Sequence, residues 1–140
     1  MRDDDGAVAR RGKRDRRDRR DKGARAEDAV VDFLTSRGFE ILGRNVRLGA
    51  LELDIVARSG ALAAIVEVRT RGAGAYVGAL ASVDATKRAR LLRAADRLWR
   101  QRLSKVKGIE RVRIDVAAVT FDAGETGETR VEYIEGALTA

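Results

Sequence analysis

Residues 51–71 read LELDIVARSGALAAIVEVRTR, and this stretch predicts a β-hairpin. Two runs of mainly aliphatic residues, 51–57 and 62–69, are joined through Ser59-Gly60, a pair typical of a tight turn. Strands rarely contain carboxylates unless a partner compensates them, because burial removes the hydration of an ionised side chain. The acids inside these two strands are therefore the feature of the sequence that needs an explanation.

The register of this hairpin groups the acids on one face of the sheet. With the turn placed at Ser59-Gly60, Glu52 lies directly opposite Glu67, and Asp54 shares their face. Five aliphatic side chains occupy the other face: Leu51, Leu53, Ile55, Val66 and Val68. Opposed carboxylates lie about 5 Å apart, and their repulsion is about 3 kcal/mol at an effective dielectric constant of about 20. The pattern predicts a compensating cation and leaves two kinds open, a basic side chain or a divalent metal ion.

The segments around the hairpin predict one α/β domain with a mixed sheet. A helix over 24–37 and a strand over 39–46 precede the hairpin, and a helix over 84–103 and strands over 111–121 and 129–135 follow it. Both helices have apolar residues at the spacing of an amphipathic helix. Because a helix separates the third and fourth strands, we expect a crossover connection between them and hence a mixed sheet.

Composition restricts the chemistry that this chain can perform. The 29 Lys and Arg exceed the 22 Asp and Glu and give a net charge of +7, which favours anionic partners such as nucleic acid. The absence of Cys and His excludes disulfides, Cys or His zinc sites and an imidazole base. No apolar run has the length of a membrane span, and the start of the chain does not resemble a signal peptide. We expect a cytoplasmic protein with no membrane partner.

Two basic segments stand outside the hairpin. Residues 1–22 contain ten Lys or Arg and six Asp, which predicts a disordered mixed-charge tail before a folded domain at 23–140. This tail is either an arm that follows phosphates or a solubilising extension. The same alternatives, phosphate contact or solvated surface, apply to four arginines largely off the apolar stripe of the long helix, namely Arg90, Arg93, Arg97 and Arg100.

Five stretches, in this order along the chain, resemble the YraN-like family of small bacterial proteins. They are GARAEDAVVDFLTSRGFEIL, RNVRLGALELDIVA, AIVEVRTR, the region of Gly78 and Lys87, and RVRIDVAAV, and together they cover about residues 23–120. That family is related to archaeal Holliday-junction resolvases. The resemblance implies an α/β, restriction-endonuclease-like fold, with a mixed β-sheet flanked by α-helices.

The resemblance also implies roles for the acids of the hairpin. Asp54 resembles the first acid of the fold's site and Glu67 the second, and Arg69 stands where lysine is usual. Glu27 on the first helix resembles the acid that related resolvases add. Glu52 matches the Glu of a GEIDL-like family motif, although Ala50 and Leu51 intrude after the preceding glycine, so this match is looser.

The function implied by the resemblance is that of a metal-dependent endonuclease acting on DNA, branched DNA included. Mg²⁺ or Mn²⁺ is the implied cofactor, with Asp54, Glu67 and Glu27 as its ligands, and a homodimer is compatible with this picture. Such an ion activates water and neutralises the phosphate. Arg69 cannot act as a general base, because guanidinium stays protonated, but it can orient water or stabilise charge.

Further basic residues and two other functions stay open. Three residues are candidate nucleic-acid contacts by their motif positions: Arg71, Lys87 and Arg113. Asp115 is predicted to form a structural bridge with one of two basic residues, Arg113 or Lys87. The alternative functions are a catalytically inactive nucleic-acid-binding module, for which Arg69 is the main argument, and a non-enzymatic interaction protein that contacts an acidic partner.

Overall fold

Five strands form a single sheet in which sequence order is also spatial order. The computed structural model describes residues 21–71, 84–121 and 128–138. Its strands are β1 (Glu40–Leu48), β2 (Leu51–Ser59), β3 (Leu62–Arg71), β4 (Arg111–Phe121) and β5 (Thr129–Leu138). β3 and β4 run parallel, and the other neighbouring pairs are antiparallel. The predicted mixed sheet is therefore confirmed.

Two helices accompany the sheet. Residues 21–36 form helix α1, which includes residues that the sequence assigned to the tail; the rest of that predicted disordered tail lies outside the described residues. Helix α2 (Ala85–Gln101) is followed by a 3₁₀ turn at Leu103–Lys105. Within the described ranges, neither helix combines the length and the apolar character needed to cross a bilayer.

The helices cover opposite faces of the sheet. One core joins α1 to the strands through Ala64 and Val66 of β3, and a second core joins α2 to the strands through Ala63 and Ile65. Because neighbouring residues of a strand point to opposite faces, the two cores lie on either side of β3. A mixed sheet flanked by helices is consistent with the predicted restriction-endonuclease-like α/β fold.

The register predicted for the hairpin is wrong by two residues. Ser59 pairs with Leu62, so the turn consists of Gly60 and Ala61, and Glu52 does not face Glu67. Gly60 has a φ of 58°, and glycine at the first of two turn residues is typical of a type II′ turn. Moving the turn by one residue shifts the pairing by two, and Asp54 and Glu67 still share a face, since both line one cavity.

The predicted division of the hairpin into one apolar face and one polar face is also wrong. Leu53 packs in the core under α2, whereas Ile55 and Val66 pack in the core under α1. The prediction assumed that only one face of the sheet is buried. Because helices cover both faces, apolar side chains are buried on both, and strict alternation is not required.

Candidate functional site

Asp54 and Glu67 meet where β2 and β3 separate. The pairing of these strands ends at Ile55 and Val66, and beyond it the Val68 amide donates a hydrogen bond of 2.8 Å to Oδ2 of Asp54. The charge of Glu67 contributes to the raised pKa of Asp54, so the two carboxylates lie near each other. Beyond the last paired residues of β2 and β3, the Asp54 carboxylate thus accepts a hydrogen bond from the backbone of β3. Asp54 and Glu67 both line a cavity under α2.

The surroundings of this pair disfavour two negative charges. Glu67 is only 5% exposed. The pKa of Asp54 is raised to about 7, mainly by burial and next by the charge of Glu67, and the hydrogen bond from Val68 opposes the shift. No ion pair formed within the described residues involves Asp54. A buried carboxyl with a strongly raised pKa beside a second acid is typical of a functional site.

Two basic side chains approach Glu67 instead. Lys87 Nζ lies 2.8 Å from Glu67 Oε1, and Arg69 Nε lies 3.7 Å from the same oxygen. The Nε of Arg69 is buried and has no hydrogen-bond partner in the described part of the chain. The sequence did not reveal the contact between Lys87 and Glu67, because it joins two elements that only the fold brings together.

Glu27 and Glu52 lie beside the acid pair. Glu27 accepts a hydrogen bond of 3.2 Å from Asn45 Nδ2 and lies 3.5 Å from Arg44. After burial and Glu67, its charge is a smaller cause of the raised pKa of Asp54. Glu52 is exposed and lines the same cavity as Asp54. Glu27 therefore acts on the site through its charge, whereas Glu52 contributes to the exposed lining of the cavity.

The donor set fits a divalent metal ion held by two carboxylates. Mg²⁺ keeps several waters and commonly takes one or two carboxylates together with phosphate oxygens. Asp54 and Glu67 provide such a pair of hard oxygen ligands. Over the residues that the structure describes, no group of three or more acids is placed to hold one ion. The structure therefore supports a smaller ligand set than the predicted one, which included Glu27.

The acids open into a cavity of about 300 Å³ between the hairpin and α2. Its lining residues are Ala50, Leu51, Glu52, Asp54, Glu67, Lys87, Arg90, Leu91 and Ala94. Lys87 is partly exposed and Arg90 is exposed, whereas Glu67 is buried. The site thus combines a buried acid, Glu67, and a partly buried one, Asp54, with basic side chains that lie closer to solvent. Such an arrangement can hold a cation and receive a phosphate group.

Arg113, another predicted nucleic-acid contact, is not brought to this site. Arg113 lies beside Ala64 in the β3–β4 register, and its guanidinium binds Asp115 through contacts of 2.8 and 3.0 Å. The predicted bridge between Arg113 and Asp115 is therefore confirmed. Arg71 ends β3, and its side chain lies outside the described part of the structure.

Asp115 has two further partners that the sequence did not predict. It is fully buried, and it accepts hydrogen bonds from Tyr133 Oη over 2.5 Å and from the Gly136 amide over 2.8 Å. Both partners belong to β5, and the register shift near Ile114 was not visible in the sequence. Asp115 is thus a buried structural carboxylate that joins β4 to β5.

Comparisons with known proteins identify the family of this chain. A family model described as "Uncharacterised protein family UPF0102" matches residues 26–119. A UPF0102 protein of Sorangium cellulosum is 59% identical over 83% of this chain and 79% of its own length. UPF0102 proteins of Methylococcus capsulatus and Symbiobacterium thermophilum are 40% and 36% identical, over 84% of this chain and 90% and 96% of their own lengths. The chain therefore belongs to the UPF0102 (YraN) family.

Proposed function

We propose that this protein is a metal-dependent endonuclease-like enzyme that cleaves the DNA backbone in the cytoplasm. The observation that carries the proposal is the convergence of Asp54 and Glu67 in a cavity whose other wall holds Lys87 and Arg90. Carboxylates bind hard divalent cations, and basic side chains bind phosphate. Phosphodiester hydrolysis needs both kinds of group within reach of one phosphate.

The residues of the cavity divide the work of this reaction. Asp54 and Glu67 would hold Mg²⁺ or Mn²⁺, which supplies Lewis-acid stabilisation of the phosphate and activation of water when bound. Arg69 Nε lies 3.7 Å from Glu67 Oε1, and its positive charge would stabilise that carboxylate. Glu52 lies at the exposed side of the cavity, and Glu27 adds negative charge that favours a bound cation.

A substrate with a branched backbone fits the proposal, as the relation to Holliday-junction resolvases implies. Within the described residues, Asp54 and Glu67 form one pair of acids that could hold a catalytic metal ion. Two cleavages across a junction would then require two copies of the chain. A homodimer is therefore part of this proposal for branched DNA and is not needed for a single cut.

A second candidate function is a DNA-binding module without catalysis. The observation that favours it is the ion pair between Lys87 and Glu67 at 2.8 Å, which already compensates the charge of one proposed ligand. Arg69 in place of the usual lysine points the same way. A module of this kind would retain the basic residues of the cavity and bind DNA in a salt-dependent manner.

Cleavage assays on duplex, single-stranded and four-way-junction DNA test the proposal. We expect cleavage with Mg²⁺ or Mn²⁺ and none with EDTA. Asp54→Asn and Glu67→Gln should each reduce the rate by at least about 100-fold, because each removes a charged ligand of the cation. Glu110→Gln, an exposed acid outside this cavity, is the matched control and should cleave like the parent protein.

Three results would contradict the proposed enzyme. Equal cleavage by the parent and by Glu67→Gln would assign the activity to a contaminant or to another site. Salt-dependent DNA binding without cleavage by the parent under either metal would establish the binding-module function instead. If the parent neither binds nor cleaves DNA, the remaining alternative function is that of a non-enzymatic interaction protein.

A further inference from the structure

The basic side chain nearest to Glu67 comes from helix α2 and not from strand β3. In the restriction-endonuclease-like pattern a lysine follows the second acid by two positions, and here that position holds Arg69. The amine nearest to Glu67 comes from α2 instead, since Lys87 Nζ lies 2.8 Å from Oε1. Arg69 Nε lies at 3.7 Å from that oxygen and is buried.

The two basic side chains differ in their access to the cavity. The side chain of Lys87 is 37% exposed and that of Arg69 is 18% exposed, and only Lys87 lines the cavity. A lysine ammonium has three N–H donors. With one donor directed at Glu67, two others are left for an oxygen of a ligand in the cavity. Arg69 can reach Glu67, but it does not present its donors to the same space.

The first turn of α2 holds Lys87 in this place. Asp84 caps the helix, and its Oδ1 accepts a hydrogen bond of 2.8 Å from the backbone amide of Lys87. Leu91, one turn later, is buried against the sheet. The cap and the buried turn fix the backbone at both ends of this segment, so the lysine points at Glu67 from a rigid element.

We propose that Lys87 supplies from α2 the ammonium that contacts the scissile phosphate. This inference rests on the proposed nuclease function and assigns a catalytic residue within it. Arg69 then serves as a positioning residue for Glu67. A compact ammonium can enter between Glu67 and a phosphate oxygen, whereas the guanidinium of Arg69 does not line the cavity.

The test compares single-turnover cleavage rates and DNA affinities of four variants. Lys87→Ala should lower the rate by about 100-fold, the usual effect of removing one charge-stabilising donor. Lys87→Arg keeps the charge beside Glu67, and hence the fold, and should lower the rate by about tenfold because its donors lie differently. Lys105→Ala, an exposed lysine in the 3₁₀ turn, is the matched control and should keep the parent rate.

The fourth variant separates a catalytic role from a structural one. Arg69→Lys combined with Lys87→Ala returns a lysine to β3 and should recover at least about tenfold of the lost rate. A lysine that only stabilised α2 could not be replaced from β3. DNA affinity measured in EDTA, where no cleavage occurs, should change by no more than about threefold in Lys87→Ala, since one phosphate contact is lost.

Each result decides the inference. If the parent cleaves DNA and Lys87→Ala cleaves equally well, Lys87 is not catalytic, and the proposed function stands without it. If Lys87→Ala is impaired and the double variant recovers nothing although both are folded by circular dichroism, Lys87 has a structural role only. If the parent cleaves no substrate, the proposed function fails, and this inference fails with it.

Discussion

At the scale of single residues, the site concentrates charge that the fold does not fully compensate. Burial is the largest cause of the raised pKa of Asp54, and repulsion by Glu67 comes next. Glu67 has Lys87 as a partner at 2.8 Å, while Asp54 relies on the Val68 amide. Ionised Asp54 is therefore destabilising, and residues that reduce stability in this way are common where function requires them.

Asp54→Asn should remove a pH-dependent loss of stability. Folding raises the pKa of Asp54 from 3.8 to about 7, so the folded state keeps a proton that the unfolded chain has already lost. Stability is then highest below the unfolded pKa, falls as the pH rises towards about 7, and stays low above it. Relative to the parent, the variant should gain about 1–3 kcal/mol of unfolding free energy at about pH 8 and little at about pH 4.

Urea unfolding of both proteins without divalent cations measures this difference. Glu52→Gln, which removes an exposed acid of the same cavity, serves as the control, and its difference from the parent should not depend on pH in this range. If the difference between Asp54→Asn and the parent were equally independent of pH, Asp54 would ionise normally in the folded protein, and the charge conflict at the site would be absent.

At the scale of elements, the sequence predicts the strands well because their patterns are local. The prediction for residues 111–121 matches β4 (Arg111–Phe121), and both hairpin strands begin where predicted. The turn was misplaced by one residue, because Gly60 provides the positive φ of a turn as the first of its two residues or as the second. The acids still share one face of the sheet, because side chains alternate with a period of two and the register moved by two residues.

Contacts between elements could not be predicted in the same way. The pair of Lys87 and Glu67, and the hydrogen bonds from Tyr133 and Gly136 to Asp115, join residues far apart in the chain. No periodicity indicates which side chain of a helix will reach a given strand residue. The acids of the candidate site were therefore predictable from residue type and spacing, whereas their partners required the fold.

Loss of the cap on α2 should weaken the element that carries Lys87. Asp84→Ala removes the oxygen that accepts the Lys87 amide and should lower the free energy of unfolding by about 1 kcal/mol. Asp96→Ala is the matched control on the same helix, because the interaction of Asp96 within the described residues is an exposed ion pair with Arg100. This variant should change stability by less than about 0.5 kcal/mol. Equal effects of the two variants in thermal or urea unfolding would show that the cap does not stabilise α2.

At the scale of the whole molecule, basic residues extend the candidate site along one side of the fold. Four arginines of α2 are exposed and share a helix face: Arg90, Arg93, Arg97 and Arg100. The helix rises about 15 Å over these ten residues, a distance that spans several phosphates of a DNA strand. Arg90 lines the cavity of the acid pair, so a backbone that follows this face would reach Asp54 and Glu67.

The arginine face should dominate the salt dependence of DNA binding. In Arg90→Ala combined with Arg93→Ala, two exposed charges are lost next to the cavity, and the slope of log K against log salt should fall in magnitude by about 1–2. The matched control, Lys22→Ala combined with Arg37→Ala, removes two exposed charges from α1 and the turn after it. Because α1 covers the opposite face of the sheet, the control should keep the parent slope.

Fluorescence anisotropy with duplex and four-way-junction DNA, with Ca²⁺ in place of Mg²⁺, measures both slopes. If the control pair lowered the salt slope and the α2 pair did not, DNA would bind on the α1 side of the sheet. The bound DNA would then not contact the proposed active site.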